Sequence, residues 1–304
     1  MPFFLATTGF FLLGRARPGS LMASGRFRGQ MKKLCALYAL STLLYLPLAW
    51  YAGLLPHGPE ALARMVLLDG TFYHLWYFPA AIVGCLLTAL LLDRFGLRVA
   101  LVASGALYLV GLFGDSYYGA AAGIEAVRGA YDVLFNGMDY TRNGLFYAPL
   151  FLVMGAALAK RGAKRPTGAK AALGLAVCLA ALLVEGGLVH ALGWVRHDSM
   201  YLTLAPATYF LLAVLVDAHP RIDAAWARDA SLWMYILHPL CIVGVRGIAR
   251  ATGLAPQVVD DPLEFFVVVC LTSFALALAV SSALHRVRKR RACGRAPLEK
   301  GIGA

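Results

Sequence analysis

The sequence predicts an all-α protein, a polytopic bundle of about nine transmembrane helices. Three observations carry that prediction. Of 304 residues, 60% are hydrophobic and 14% charged, with a mean hydropathy of +0.69, whereas a soluble domain of this length needs far more polar surface. Apolar runs recur at the length of about 20 residues that crosses a bilayer core. Basic residues concentrate in alternate loops, as they do in multi-pass proteins. Such spans are helical, because lipid offers backbone amides no partner outside their own segment.

The predicted spans lie near 2–14, 31–54, 75–92, 98–114, 144–159, 169–193, 199–216, 231–250 and 263–284. The first is short, and the fifth and seventh are marginal. With the 15–33 loop in the cytoplasm, alternation gives the inner face Arg15, Arg17, Arg26, Arg28, Lys32, Lys33, Arg94 and Arg98. It also gives that face Lys160, Arg161, Lys164, Arg165, Lys170, Arg221, Arg228 and the tail Arg286–Lys300. The outer face keeps Arg64, Arg128, Arg142, Arg196, Arg246 and Arg250. The C-terminus is cytoplasmic on this count, and the net charge of +12 reads as topology. Nucleic-acid binding is disfavoured, since no soluble domain carries a basic face. Five of the six cysteines fall within spans and the sixth in the inner tail, so no disulfide is expected. No CxxC pair or ligand spacing calls for a metal. Residues 1–284 form the expected membrane domain and 285–304 a basic tail suited to anionic lipid.

Taken in order, the chain opens from Met1-Pro2-Phe3-Phe4 directly into apolar sequence, without the basic start or small-residue cleavage site of a signal peptide. Alternation places Met1 outside, so an earlier helix is expected to be missing from this sequence. Arg26, Arg28, Lys32 and Lys33 precede the second span. They are read either as anchors on the inner face or as a clamp for phosphate oxygens. His74 heads the third span beside Trp76, Tyr77 and Pro79. It is read as a functional imidazole or as part of an interfacial aromatic belt. The long outer segment 115–143, rich in tyrosine and mixed charge, reads as a lid or as a belt with a short surface helix. Glu185, near the outer end of the sixth span, is expected to be salt-bridged or protonated. In Ser231-Leu-Trp-Met-Tyr-Ile-Leu-His-Pro239, Pro239 frees the carbonyl of Tyr235 and opens a polar notch at His238. That histidine either ties the notch together or takes part in chemistry. Arg246 lies deep enough on the same span to need an anion, with Glu185, Asp115 and Asp198 as candidates.

Together these motifs resemble the acyltransferase 3 family of integral membrane acyltransferases, which has about ten spans. The run Pro2-Phe3-Phe4…Thr8-Gly9-Phe10-Phe11-Leu12 is similar to the family's second span, with Thr8 in its serine place. Arg26-Phe-Arg28-Gly-Gln-Met-Lys-Lys33 is similar to its basic loop, and His74-Leu-Trp76-Tyr-Phe-Pro79 to the segment that follows. Ser231…Tyr235-Ile-Leu-His238-Pro239 is similar to its late Ser-x-x-x-Tyr-x-x-His-Pro. The order matches over nearly the whole chain. Gly111-Leu-Phe-Gly-Asp115-Ser-Tyr-Tyr-Gly119 and Asn143-Gly-Leu-Phe-Tyr-Ala-Pro149 bring it nearer to the membrane half of vancomycin-resistance serine racemases. Those proteins carry a pyridoxal-phosphate racemase after the membrane half; this sequence ends before any such domain, so racemase activity is not implied.

The resemblance implies transfer of an acyl group, often acetyl, from cytoplasmic acyl-coenzyme A to a sugar, glycan or small molecule beyond the bilayer. Arg26 and Arg28 would hold the donor phosphates. His74 and His238 are the candidate catalytic side chains. Trp76, Asp115, Tyr117, Asn143, Glu185 and Arg246 are the candidate substrate-binding ones. The family's arginine and catalytic histidine, about ten residues apart in its first span, have no counterpart before Pro2. The competing expectation is a non-enzymatic transporter or sensor for a small amino acid such as serine. It rests on the racemase likeness and on the mixed outer charges Asp115, Arg142, Glu185, Arg196 and Arg246.

Overall fold

The computed structural model describes residues 1–14, 19–160, 165–218 and 225–294, with side chains through residue 287 in the last stretch. Arg15, Arg17, Arg161, Lys164, Arg221 and the end of the basic tail lie outside them. The described residues are helical with no strands, in agreement with the predicted helical bundle. Five helices are long and apolar enough to cross a membrane, and three shorter apolar ones accompany them. The protein is a multi-pass membrane protein. Two units divide the chain, Met1–His219 and Pro220–Ala304.

In the first unit, α1 (Pro2–Thr8) runs on through a wider π-type turn over Gly9–Leu13. Helix α2 (Gly25–Tyr51) begins six residues before the predicted span, because the Ser24 hydroxyl accepts from the Phe27 amide (3.1 Å) and caps it. Its first turns carry Arg26 and Arg28, and hydropathy does not register such a charged extension. The short α3 (Pro59–Arg64) passes into a π-type turn over Met65–Asp69.

Next comes α4 (Tyr77–Phe113), 37 residues broken at Gly96, whose φ of 75° suits glycine. A straight helix of that length would be about 55 Å long, well beyond a hydrocarbon core of about 30 Å. Yet Trp76, at its start, and Tyr108, near its end, both touch Tyr147, with ring centroids 5.7 and 6.2 Å away. The two halves therefore fold back on each other at Gly96, as the separate spans 75–92 and 98–114 predict.

The segment read as lid or belt forms α5 (Tyr118–Ala122) and α6 (Glu125–Gly137). Tyr131 is buried and donates to the Val110 carbonyl (2.6 Å), while Val133 is exposed: a short surface helix with an aromatic inner face. Helix α7 (Ala148–Leu158) is the core of the unit, with Phe151, Leu152 and Val153 fully buried. A helix surrounded by protein needs no lipid-length apolar run, which explains why its span is marginal in sequence. Around it lie α1 and its extension, both halves of α4, and α9 (Leu204–Asp217), which α8 (Gly168–Ala191) covers.

The two ends of this unit are distinct. At one, Asp93 accepts from the amides of Gly19, Leu21 and Met22 (2.9, 3.2 and 3.3 Å), and Arg165 pairs with Asp217 (3.3 Å). At the other gather Trp76, Asp115, Arg142 and the 194–203 segment.

In the second unit, α10 (Ala225–Ala251) packs on α12 (Pro262–Gly294), with the short α11 (Ala255–Val258) between them in sequence. Helix α12 continues ten residues past the predicted end of its span at 284.

Candidate functional site

Two carboxylates organise the end of the first unit that carries Trp76. The side chain of Asp115 is fully buried just past α4, and its Oδ1 accepts from the amides of Ser199 (2.8 Å) and Met200 (2.9 Å) and from the Ser116 hydroxyl (3.0 Å). Its own carbonyl accepts from the Arg196 amide (3.1 Å). Glu185, near the end of α8, accepts from the Tyr117 hydroxyl (2.7 Å), from the amides of Leu202 (2.5 Å) and Thr203 (2.9 Å), and from the Thr203 hydroxyl. It thereby supplies the acceptors that the start of α9 lacks in its own segment. Asn143 works in the same way at shorter range. Its carbonyl accepts from the amides of Leu145 (2.9 Å) and Phe146 (3.1 Å), and its amide donates to the Tyr140 carbonyl (2.9 Å). These three residues fix backbone where helices meet loops.

Inside that frame lies a cavity of about 610 Å³. Trp76, Arg142, Tyr147, His190, Asp198, Ser199 and Tyr201 line it, along with Met1, Pro2 and aliphatic residues of α8 and α9. Gly70 helps to place Trp76. Its φ is 89°, and a Cβ there would stand 2.4 Å from the Trp76 amide nitrogen. The Arg142 guanidinium lies over two aromatic rings, 5.1 Å from the Trp76 centroid and 4.8 Å from that of Tyr140, and donates to the Ser199 hydroxyl (3.2 Å). On the opposite charge balance, Asp198 pairs with His190 Nε2 (3.1 Å) and accepts from the Tyr201 hydroxyl (3.3 Å). His190 Nδ1 faces the Gly186 carbonyl (2.9 Å). Both ring nitrogens thus meet acceptors, and both bonds form together when each nitrogen carries hydrogen.

Of the residues singled out in the sequence, Trp76 lines this cavity. His74, two residues away, is buried against the rings of Tyr45 (4.8 Å), Tyr73 (5.4 Å) and Phe72 (5.7 Å). Asp115, Tyr117, Asn143 and Glu185 stand behind the cavity wall. Arg26 and Arg28 are exposed at the far end of the unit, where Arg28 donates to the Ala23 carbonyl (2.6 Å). His238 and Arg246 belong to the second unit. There His238 Nδ1 reaches the Tyr235 carbonyl freed by Pro239 (2.9 Å) and the Met234 carbonyl (3.2 Å), closing the notch the sequence predicts. Arg246 stacks over Phe265 at 4.9 Å. Sequence reasoning placed Arg142 only in the outer charge cluster of the transporter reading and Asp198 only as a candidate partner of Arg246, and it gave His190 no role. Their signal was charge beside aromatic residues near predicted span ends, in Tyr140-Thr-Arg142 and in His190…Asp198.

A family profile described as an acyltransferase domain matches residues 1–282. The chain belongs to the acyltransferase 3 family. Among curated proteins it is similar to an amino-acid racemase of Enterococcus faecalis, 36% identical over 95% of this chain and 41% of that protein. It is also similar to a serine/alanine racemase of Enterococcus gallinarum, 34% identical over 90% of this chain and 39% of that one. The chain thus spans about two-fifths of the length of the curated relatives it matches. No solved structure matches it.

The electrostatics of the wall give a pH prediction. Burial raises the Asp115 carboxyl from 3.8 to about 6, although the amides of Ser199 and Met200, the Ser116 hydroxyl and the charge of Arg142 pull it down. The folded chain therefore holds this proton more tightly than the unfolded one. Its contribution to stability is full below about pH 4 and declines as pH rises to about 6, by about 3 kcal/mol at most. Asp115→Asn keeps an oxygen for the two amides and removes the titration. Thermal melts in detergent between pH 4 and 7 should lose that part of their slope in the variant; identical slopes would contradict the assignment.

Proposed function

We propose that this family member is an acyltransferase that moves an acyl group, in the simplest case acetyl, from acyl-coenzyme A to a sugar, glycan or small-molecule acceptor across the bilayer. The observation that carries the reading is the cavity at the Trp76 end, in a chain of this family. It combines an aromatic wall with a guanidinium, an imidazole and a carboxylate in one open cavity, which suits a small polar acceptor. Arg26 and Arg28 stand exposed at the far end of the same unit, where a cytoplasmic donor would approach. Their guanidinium forks match phosphate oxygens. Trp76 would shape the acceptor mouth, with His74 buried in the aromatic cluster two residues before it, and His238 would orient groups in its own helix. A general base must come within hydrogen-bond reach of the acceptor hydroxyl, and none of these side chains is assigned that role. The test is transfer of radiolabelled acetyl from acetyl-coenzyme A in proteoliposomes. Arg26→Ala combined with Arg28→Ala should reduce donor use at least about a hundredfold, as the loss of two charge-assisted contacts implies, without changing the melting temperature. Unchanged transfer would defeat the donor assignment.

A second reading is transport or sensing of a small amino acid such as serine. The presence of Arg142 and Asp198 in one cavity favours it, as does the similarity to the amino-acid and serine/alanine racemases. Uptake of radiolabelled serine without acetyl-coenzyme A hydrolysis would select it over the enzyme.

A further inference from the structure

We propose that Arg142 makes the cavity a receptor for a small carboxylate, whose oxygens the guanidinium grips while it rests on Trp76 and Tyr140. The inference rests on the reading that this cavity admits the acceptor. Arginine cannot shed its charge, so a part-buried guanidinium such as that of Arg142 is stabilised by an anion or by donor-matching acceptors. Among the described residues no carboxylate lies within ion-pair distance of Arg142, and its polar protein contact is the single bond to Ser199. Its Nε is buried without a hydrogen-bond partner. The Trp76 and Tyr140 ring centroids lie 5.1 and 4.8 Å from the guanidinium carbon, and such cation–π contact uses none of its N–H donors. Of the nearby carboxylates, Asp115 meets the amides of Ser199 and Met200 through Oδ1, and Asp198 meets His190 and Tyr201 through its own Oδ1.

Charge fixes the ligand class. One guanidinium matches one carboxylate, as a fork of two parallel bonds. A doubly charged phosphate would bring a second negative charge toward Asp198, which lines the cavity, and Asp115 behind its wall. The Asp198–His190 pair also lines the cavity and leaves room for a hydroxyl or amino group on the same small molecule.

Binding of L-lactate, lactamide, L-serine, L-serinamide and inorganic phosphate to the purified protein in nanodiscs, without acyl-coenzyme A, tests the assignment. Each amide differs from its acid by the carboxylate alone. The acids should bind about tenfold or more tighter than their amides, and phosphate should not compete. Arg142→Gln should erase the preference while the melting temperature holds, and Arg142→Lys should restore only part of it. Equal binding of acid and amide, no binding of either acid, displacement by phosphate, or a preference that survives Arg142→Gln would each overturn the proposal. Acyl transfer is not part of this readout. A protein that prefers the acids but transfers no acetyl overturns the enzyme reading and leaves the receptor standing.

Discussion

Gly155→Leu should leave no folded, monodisperse protein after detergent extraction, and Gly9→Leu should do the same. The two glycines face each other's helices where α1 and its extension cross α7. A Cβ on Gly9 would stand 1.9 Å from the Leu152 carbonyl oxygen, and one on Gly155 would stand 1.9 Å from that of Ala6. The obstacle is backbone in both cases, so no side-chain rotation relieves it and the helices must separate. Separation would unpack α7, whose Phe151, Leu152 and Val153 are fully buried. Lipid tails are as apolar as leucine, so helices in a bilayer gain from close contact through small residues and lose that gain when parted. Alanine at either position should already cost about 3 kcal/mol, the upper range for overpacking, and leucine more. Gly105→Ala and Gly187→Ala are the controls. Both glycines lie in helices with nothing within 4 Å of an added Cβ, and their variants should melt within about 1 kcal/mol of the parent. Size-exclusion profiles and thermal melts of the four proteins decide the matter. A normal profile for Gly155→Leu would mean that the crossing is not where the bundle is held.

The bundle itself was legible because lipid imposes a length and a composition on whatever crosses it. The runs near 31–54, 169–193, 231–250 and 263–284 correspond to α2, α8, α10 and α12, and the reversal between 92 and 98 falls at Gly96. What hydropathy missed are helical ends outside the apolar zone. The charged start of α2 depends on the Ser24 cap, and α12 continues past its span. The site was legible in part. Of the residues singled out as site candidates, Trp76 lines the cavity, and Asp115, Tyr117, Asn143 and Glu185 stand behind its wall. Their partners were not legible, because Asp115 meets residues 84 and 85 positions away and Glu185 meets a tyrosine 68 positions away. A buried carboxylate that binds a ligand and one that binds loop amides look alike in one dimension. Arg142 shows the converse. Read only as one charge in an outer cluster, it gains meaning from two rings that the fold brings against it.

Glu185→Ala should be as damaging as the glycine variants by a different route. The carboxylate ties two separate segments to α8 through four donors: the Tyr117 hydroxyl from the segment after α4, and the Leu202 amide, the Thr203 amide and the Thr203 hydroxyl before α9. Removing it leaves these donors without an acceptor in a largely buried place, a loss of about 3–5 kcal/mol. It also removes the negative charge that favours the positive N-terminal end of α9. Tyr117→Phe deletes one donor together with its bond and leaves Glu185 three others, so it should cost only about 1 kcal/mol. In the double variant the tyrosine change should cost almost nothing further, because its partner is already gone. Ser199, Tyr201 and Leu204, on either side of the amides that Glu185 holds, line the cavity. Ligand binding and melting temperature should therefore fall together in Glu185→Ala, whereas Arg142→Gln lowers binding alone. That contrast distinguishes a side chain that builds the wall from one that meets what enters, and a Glu185→Ala protein as stable as its parent would show that the wall stands without it.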